Sequence, residues 1–104
     1  MIKFSVLIPT YNNLNYLKLA IDSIKHNSTY EHEIILHIND GSDGTLNYAK
    51  NNNLIYTHSS ENIGLCSAIN KASGKVSTEY VLYVHDDMYL CKNWDQILEN
   101  EIKS

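Results

Sequence analysis

Short apolar runs alternate along this chain with segments of helical periodicity, and this alternation restricts the fold more than any other feature. Residues 3–9 form an almost unbroken apolar run, typical of a strand buried on both faces of a parallel sheet. Proline cannot donate to a strand ladder, so we expect Pro9 to end this strand. Asn13 is placed to cap the helix that follows. That helix is predicted by apolar residues at helical spacing, namely Leu14, Leu17, Ile21 and Ile24.

The same alternation continues through the middle of the chain. Three more strands are expected, at residues 33–38, 54–58 and 80–84. Two helices are expected between them, at residues 45–50 and 63–73, with Gly74 in the C-terminal cap position of the second.

The last segment predicts a helix that begins near Trp94. Its packed face is expected to carry Trp94, Ile97, Leu98 and Ile102. Asn93 and Gln96 have the spacing of a capping box at the start of this helix. Glu99 and Glu101 fall on the polar face, where we expect solvated charges rather than a catalytic base.

Strands that alternate with helices in this way form a parallel sheet with helices on both faces. We therefore predict an α/β fold, a three-layer sandwich with a mostly parallel four-stranded sheet, in a single domain that spans residues 1–104. The fourth strand is expected at an edge of the sheet, which makes a homo-oligomer an open alternative. Ligands of such sheets bind at the carboxyl ends of the strands.

Composition excludes some partners and suggests a compartment. The net charge is −4 and the pI is about 5.6, so no positive field is available to attract a nucleic acid. The longest apolar runs are strand-sized, and the first residues lack the features of a signal peptide. We therefore expect no transmembrane segment and a cytoplasmic location, with peripheral association at the inner membrane face as an alternative.

The cysteines and most of the histidines show no pattern of a metal site. Cys66 and Cys91 match no ligand spacing, so we expect free thiols. The same absence of spacing predicts surface or hydrogen-bonded core positions for four histidines, at residues 26, 32, 37 and 58.

Polar residues with ligand-binding capacity follow three of the predicted strands, at residues 10–12, 39–42 and 85–87. Adjacent carboxylates such as Asp86 and Asp87 repel each other, and a hard divalent cation offsets this cost. Magnesium and manganese typically bind one or two carboxylates together with substrate phosphates. The alternative is an acidic pair in a solvated turn that caps the next element.

Four segments of the sequence resemble the successive signatures of a known family. They are FSVLIPTYNN at 4–13, NDGSDGT at 39–45, NIGLCSAINK at 62–71 and YVLYVHDD at 80–87. In this order and spacing they resemble family 2 glycosyltransferases, in particular their Rossmann-like GT-A nucleotide-binding half. The resemblance implies an enzyme that transfers a sugar from a nucleotide-diphosphate donor, expected to be UDP-linked, to an acceptor hydroxyl.

The resemblance also assigns a nucleotide pocket. Pro9, Thr10 and Tyr11 would line the base pocket, with the Tyr11 ring against the base unless it packs on the first helix. Asp40 matches the family aspartate that hydrogen-bonds the base, although it is also suited to capping a turn. The other two matches are Asn62 and Gly64, in the segment that runs under the sugar and phosphates.

The acidic motif of the family falls on the fourth strand end. Asp87 would be the first metal ligand, for Mn²⁺ or Mg²⁺, and Asp86 would contact the ribose or sugar and also reach the metal. His85 stands where the commonest family pattern has Asp. Its role is open between a third contact, a partner of the neighbouring ligands and a residue that faces solvent.

The resemblance covers the donor-binding part of the family. Family members carry the acceptor site and the catalytic base after the acidic motif, and this chain ends 17 residues after Asp87. We therefore expect a domain without the acceptor-binding half, with the base outside the chain and the saccharide or lipid-linked acceptor unidentified. The alternative is a truncated, non-catalytic nucleotide-binding or interaction module.

Nucleotidyltransferases with a similar sheet are disfavoured. They would need a glycine-rich, basic loop after the first strand, and residues 9–13 contain neither Gly nor Lys. No phosphate-binding glycine fingerprint of the P-loop or dinucleotide type is present either.

Overall fold

The computed structural model describes residues 2–103 and contains the predicted alternation of strands and helices. Its strands are β1 Ile2–Tyr11, β2 Glu31–Asn39, β3 Ile55–Ser59 and β4 Val81–Tyr83. Its helices are α1 Leu14–Asn27, α2 Thr45–Asn51, α3 Leu65–Ser73 and α4 Trp94–Lys103. The predicted α/β class is confirmed.

The strands form one parallel sheet in the order β3-β2-β1-β4. The long strands β1 and β2 lie at the centre, and β4 lies at an edge, as predicted. Because the strands are parallel, their carboxyl ends meet at one edge of the sheet. The loops after β1, β2 and β4 therefore start side by side.

Pro9 does not end β1, contrary to the expectation from the sequence. The strand continues to Tyr11 in register with β2. The N–H of Ser5 donates to the carbonyl of Tyr80, in the direction of β4, at 3.1 Å. The nitrogen of Pro9 faces the same way, because alternate residues of a strand point to the same neighbour. Since β4 has already ended at Tyr83, the missing N–H of Pro9 interrupts no ladder.

Helices cover both faces of the sheet, which confirms the three layers. On one face, α1, α2 and α4 pack against alternate residues of the central strands. The buried residues of this face include Val6, Ile8, Leu17, Ile21, Leu36 and Ile38. The other face is covered by α3, with Ala72 against Leu7 and Ile35. Burial of each large aliphatic side chain stabilises the fold by roughly 1.5–3 kcal/mol, so the first face contributes most of the apolar stabilisation.

The first turn of α1 is capped by a distant residue. Asn13 makes no side-chain capping bond, so the predicted cap is wrong. Asp43, in the loop after β2, accepts a hydrogen bond from the N–H of Leu14 at 3.1 Å. Its other carboxylate oxygen accepts from the N–H and the hydroxyl of Thr45, at 3.1 and 2.6 Å. One carboxylate thus serves two helix N-termini and joins the loops that follow β1 and β2.

Helix α4 turns a partly polar face to the sheet. Trp94 packs against the core as predicted, whereas Ile97 is 61% exposed and Ile102 is 40% exposed. Asp95 and Glu99 are buried instead. The expected apolar face is therefore only partly correct.

Both buried acids of α4 have partners that the helix pattern does not reveal. Asp95 accepts from the N–H groups of Thr29 and Tyr30, at 2.9 and 2.7 Å, and lies 2.8 Å from Nε2 of His32. Glu99 accepts from the Tyr30 hydroxyl at 2.9 Å and pairs with Lys3. The expectation of a solvated Glu99 is wrong, because β1 and the segment before β2 supply these partners.

The predicted capping box of α4 does not form. The N–H of Gln96 donates to Oδ1 of Asp95 at 2.9 Å. The side-chain oxygen of Asn93 accepts from the Thr29 hydroxyl at 3.1 Å instead of from the helix. The start of α4 is thus anchored to the segment before β2.

The expectations for the cysteines and for the four histidines at residues 26, 32, 37 and 58 agree with the structure. Cys66 and Cys91 are free and exposed. His32 and His37 are hydrogen-bonded inside the fold, and His26 and His58 are exposed. Within residues 2–103, no helix is both long enough and apolar enough to cross a membrane.

Candidate functional site

A cleft of about 400 Å³ opens at the carboxyl edge of the sheet. The end of β1, the loop after β4 and the segment that leads into α3 form its walls. The structure brings six of the predicted site residues together in its lining: Pro9, Thr10, Tyr11, Asn62, Gly64 and Asp86.

A second cavity of about 490 Å³ lies near the opposite edge, beside the first residues of β2 and β3. No residue of the four family-like segments lines it. The cleft at the carboxyl edge is therefore the candidate site, although it is the smaller of the two.

The predicted residues Asp40 and Asp87 lie outside the lining of the cleft. Asp40 is hydrogen-bonded to Asn12, which does line the cleft, and Asp87 is exposed beside Asp86. The structure thus brings together the β1, α3 and β4 parts of the predicted site and leaves these two carboxylates at its margin.

Thr10 and Asp86 join the central strand to the acidic loop. The Thr10 hydroxyl donates to Oδ2 of Asp86 at 2.9 Å. Thr10 is only 2% exposed, so its hydroxyl is held by the packing of β1. No residue in the described range 2–103 hydrogen-bonds to Oδ1 of Asp86, so one oriented oxygen is left for a ligand.

Asn12 fastens the loop after β2 to the end of β1. Its Nδ2 donates to Oδ2 of Asp40 at 3.0 Å, and its Oδ1 accepts from the N–H of Gly41 at 3.0 Å. The Asn12 bond, with a second from the Ser42 hydroxyl, lowers the pKa of Asp40 below its ordinary value. Asp40 is therefore a fixed, ionised acceptor.

Asn39 organises the wall opposite the acidic loop, whereas the sequence analysis included it only in the polar run 39–42 and gave it no role of its own. Its Oδ1 accepts from the N–H of Ile63 and the hydroxyl of Ser59, at 3.0 and 3.1 Å. Its Nδ2 donates to the carbonyl of Thr10 at 3.4 Å. Asn39 thus holds the segment before α3 beside β1. A buried amide in the last position of an apolar strand is the signal that could have identified it.

Behind this wall, His37 is fully buried and bonded to the Thr57 and Ser59 hydroxyls, at 2.7 and 3.1 Å. Burial lowers the pKa of His37, so the ring is neutral at physiological pH. It supports the Ser59–Asn39 contact without adding charge to the cleft.

Tyr83 and His85 form the remaining wall. The Tyr83 hydroxyl lies 3.0 Å from Nδ1 of His85, and the ring centroids are 4.8 Å apart. Burial, and then the negative charges of Asp86 and Asp87, raise the pKa of Tyr83 and keep its hydroxyl protonated. The sequence analysis missed Tyr83; a tyrosine in the final position of a strand next to a ligand-rich loop is its only local signal.

The acidic pair offers part of a cation site. Within residues 2–103, no cluster of three or more His, Cys, Asp or Glu side chains could hold a metal on its own. Asp86 and Asp87 provide two carboxylate groups, and hard cations such as Mg²⁺ often take the rest of their coordination from phosphates and water. The donor set therefore fits a metal that binds together with a phosphate ligand.

The sequence model for "Glycosyl transferase family 2" matches residues 5–104 of the chain. This chain belongs to glycosyltransferase family 2. The four segments identified in the sequence therefore carry a true family relationship, and the protein is a glycosyltransferase domain by that membership.

Two relatives illustrate how the family 2 chain compares with longer proteins. Glycosyltransferase GlyA of Streptococcus pneumoniae is 30% identical over 105 residues, which cover 96% of this chain and 15% of the relative. An uncharacterised glycosyltransferase of Rickettsia typhi is 36% identical over 89 residues, covering 82% of this chain and 27% of the relative.

The family 2 fold also matches solved structures of S. aureus TarS. A TarS crystal structure in complex with UDP gives a TM-score of 0.78 at 25% identity, covering 98% of this chain and 32% of the other. A TarS structure in complex with UDP-GlcNAc gives a TM-score of 0.75 at 26% identity, covering 97% of this chain and 30% of the other. The predicted GT-A architecture is confirmed. The chain spans between 15% and 32% of the length of these relatives and TarS chains.

Proposed function

We propose that this family 2 domain binds a nucleoside diphosphate sugar, with UDP as the nucleotide, in the cleft at the carboxyl edge. The observation that carries the proposal is the Thr10 to Asp86 bond, which joins the end of β1 to the acidic loop beside the segment before α3. The TarS complexes with UDP and UDP-GlcNAc support the same ligand class.

The base would bind along the end of β1, against Pro9, Thr10 and Tyr11. The Tyr11 side chain is 51% exposed at the cleft, so its ring is available for stacking. Asp40 would accept a ring N–H of the base with Oδ1, because Asn12 and Ser42 both donate to Oδ2. This assignment extends the ligand from the cleft towards Asn12, since Asp40 lies just outside the lining.

The sugar and diphosphate would lie over Asn62 and Gly64 and reach Asp86. A Cβ atom built on Gly64 would meet nothing within 4 Å, so the backbone is open to close approach from the cleft. Its φ of +83° is also one that other residues rarely adopt. Glycine at this position therefore suits both the backbone and a ligand.

Asp87 and Asp86 would hold Mn²⁺ or Mg²⁺ next to the diphosphate. The cation would stabilise the negative charge that develops on the leaving diphosphate. The contribution of the chain is orientation: Thr10 fixes one oxygen of Asp86 and leaves the other for the metal or the ribose. Asp87 is exposed, so it can adjust to a ligand that arrives with its metal.

The acceptor, a saccharide or a lipid-linked hydroxyl, and the catalytic base are proposed to come from outside residues 1–104. Glu99 is unsuited to the role of base because it is bound to Tyr30 and Lys3. We expect the isolated chain to bind the donor and to transfer sugar weakly or not at all. The cytoplasmic location and a homo-oligomer stay predictions.

Titration of UDP with Mg²⁺ into the isotope-labelled chain, followed by amide resonances, tests the binding site. We expect shifts concentrated at Tyr11, Asn62, Gly64 and Asp86. Shifts confined to the cavity near the starts of β2 and β3, or no saturable shifts, would contradict the proposal and favour a non-catalytic interaction module.

A further inference from the structure

The cleft proposed for the diphosphate is poor in positive charge. Within residues 2–103, its lining includes the carboxylate of Asp86 but neither a lysine nor an arginine. A diphosphate placed beside Asp86 would gain from a direct N–H donor, since hydrogen bonds to charged groups are stronger than neutral ones. His85 is the one imidazole in this lining.

The asparagine amides of the lining are partly committed elsewhere. Nδ2 of Asn12 donates to Asp40, and Nδ2 of Asn39 donates to the Thr10 carbonyl. His85 has no such commitment at Nε2, because its bond to Tyr83 uses Nδ1. The outer nitrogen of the ring is thus available to a ligand.

The position of His85 is set by two contacts although the residue is exposed. Its ring packs at 4.8 Å from the Tyr83 ring and lies 3.0 Å from the Tyr83 hydroxyl. Its backbone N–H donates to Sδ of Met88 at 3.2 Å. The ring therefore rests against Tyr83 of β4, and the Met88 contact holds the backbone of the loop.

The Tyr83 hydroxyl lies within hydrogen-bonding distance of Nδ1 of His85 and can donate to it. When the hydroxyl donates to Nδ1, the single proton of the neutral ring must be on Nε2. We propose that His85 is a direct contact of the donor diphosphate, donating its Nε2–H to a phosphate oxygen, and that Tyr83 is the residue that positions it. This inference rests on the proposed function, because it assumes that a nucleoside diphosphate occupies the cleft.

The test compares UDP with uridine, which lacks the diphosphate, by calorimetric titration of the 104-residue chain. We expect His85→Ala to weaken UDP binding about tenfold and to leave uridine binding unchanged. His85→Gln should recover most of the loss, because its amide can place an N–H near the position of Nε2. Circular dichroism of each variant checks that the fold is intact.

A double-mutant cycle tests the role of Tyr83. Tyr83→Phe should weaken UDP binding in the parent but have no effect in the His85→Ala background. It should also alter the imidazole ¹⁵N shifts of His85, which report the tautomer. An equal effect of Tyr83→Phe in both backgrounds would overturn the positioning role.

The outcomes separate this inference from the proposed function. If the parent binds UDP and His85→Ala binds UDP equally well, the inference is wrong and the proposed function stands. The same holds if His85→Ala weakens uridine binding by the same factor as UDP binding. If His85→Ala loses Mn²⁺ binding measured by electron paramagnetic resonance without nucleotide, His85 is a metal ligand and the inference is wrong. If the parent binds no UDP, both fail.

Discussion

The Thr10 hydroxyl donates to the carboxylate of Asp86 at 2.9 Å and so links the buried end of the central strand to the acidic loop after β4. The strand holds Thr10 in a fixed position, and the hydrogen bond therefore orients the half-buried carboxylate of Asp86. Asp86 itself lies in a loop, since β4 ends at Tyr83. Orientation of Asp86 therefore depends on a neighbouring strand.

Valine has nearly the shape of threonine but lacks its hydroxyl. Replacement of Thr10 by Val should therefore remove the bond that orients Asp86 without changing the packing of β1. We expect UDP affinity in the presence of Mn²⁺ to fall about three- to tenfold, as is typical for loss of one hydrogen bond to a charged group. Thr10→Ser keeps the hydroxyl and is the matched control. Equal UDP affinities for Thr10→Val and Thr10→Ser, measured by calorimetry, would show that the bond has no role in binding.

Two glycines with similar φ angles allow stability to be separated from ligand access. Gly41 and Gly64 have φ values of +84° and +83°. A Cβ on Gly41 would come within 2.7 Å of Ile38, whereas a Cβ on Gly64 meets nothing within 4 Å. Both alanine variants should lose about 1 kcal/mol from backbone strain, and Gly41→Ala should lose a further 1–3 kcal/mol from the clash.

For UDP affinity we expect the opposite order: Gly64→Ala, the less destabilised variant, should be the one that loses more affinity. Gly64→Ala should weaken UDP binding clearly, because its methyl group occupies the approach to the cleft backbone. Urea denaturation measures the first effect and calorimetry the second. A Gly64→Ala variant that is fully stable and binds UDP like the parent would remove Gly64 from the proposed site.

Asp95 should make the fold sensitive to acid. Burial alone would raise its pKa, but the N–H groups of Thr29 and Tyr30 and the His32 ring outweigh burial, so the folded pKa is lowered. A lowered folded pKa stabilises the fold above the unfolded pKa of about 3.9, and this contribution is lost as the pH falls through the folded pKa.

Asp95→Asn should therefore cost about 2–3 kcal/mol at pH 7 and lose less further stability than the parent between pH 5 and pH 3. Asp22→Asn, on the exposed side of α1, is the control and should keep the pH dependence of the parent. Urea denaturation at several pH values measures both. Parallel curves for Asp95→Asn and the parent would contradict the role of Asp95.

The local pattern of apolar residues predicted the order of strands and helices, because the formation of each strand or helix depends mainly on its own residues. It failed at Pro9, where the length of a neighbouring strand decides whether a missing N–H matters. It failed again at Asn13 and Glu99, because their roles depend on Asp43 and Lys3, which are distant in sequence. Partners of this kind are created by the fold and leave no periodic signal.

Site residues that come directly after a predicted strand could be predicted from the sequence. Thr10 and Asp86 come directly from that rule, and the structure brings them into hydrogen-bonding contact. Tyr83 was missed because it lies inside a predicted strand, where a side chain is expected to pack rather than to organise a cleft. Asn39 was predicted only as part of the polar run 39–42, because its partners Ser59 and Ile63 are distant in sequence. Asp40 was predicted as a site residue; it lies outside the lining of the cleft and is hydrogen-bonded to Asn12, which lines it.

The central claim is that the cleft binds a nucleoside diphosphate together with a divalent cation on the acidic pair. Calorimetric titration of UDP, with Mn²⁺ and with a chelator, on the parent, Asp87→Ala and the Asp22→Asn control tests it most directly. We predict that Mn²⁺ tightens UDP binding at least tenfold in the parent and the control, and that Asp87→Ala loses this gain. UDP affinity that is the same with and without Mn²⁺, or a full gain in Asp87→Ala, would contradict the account.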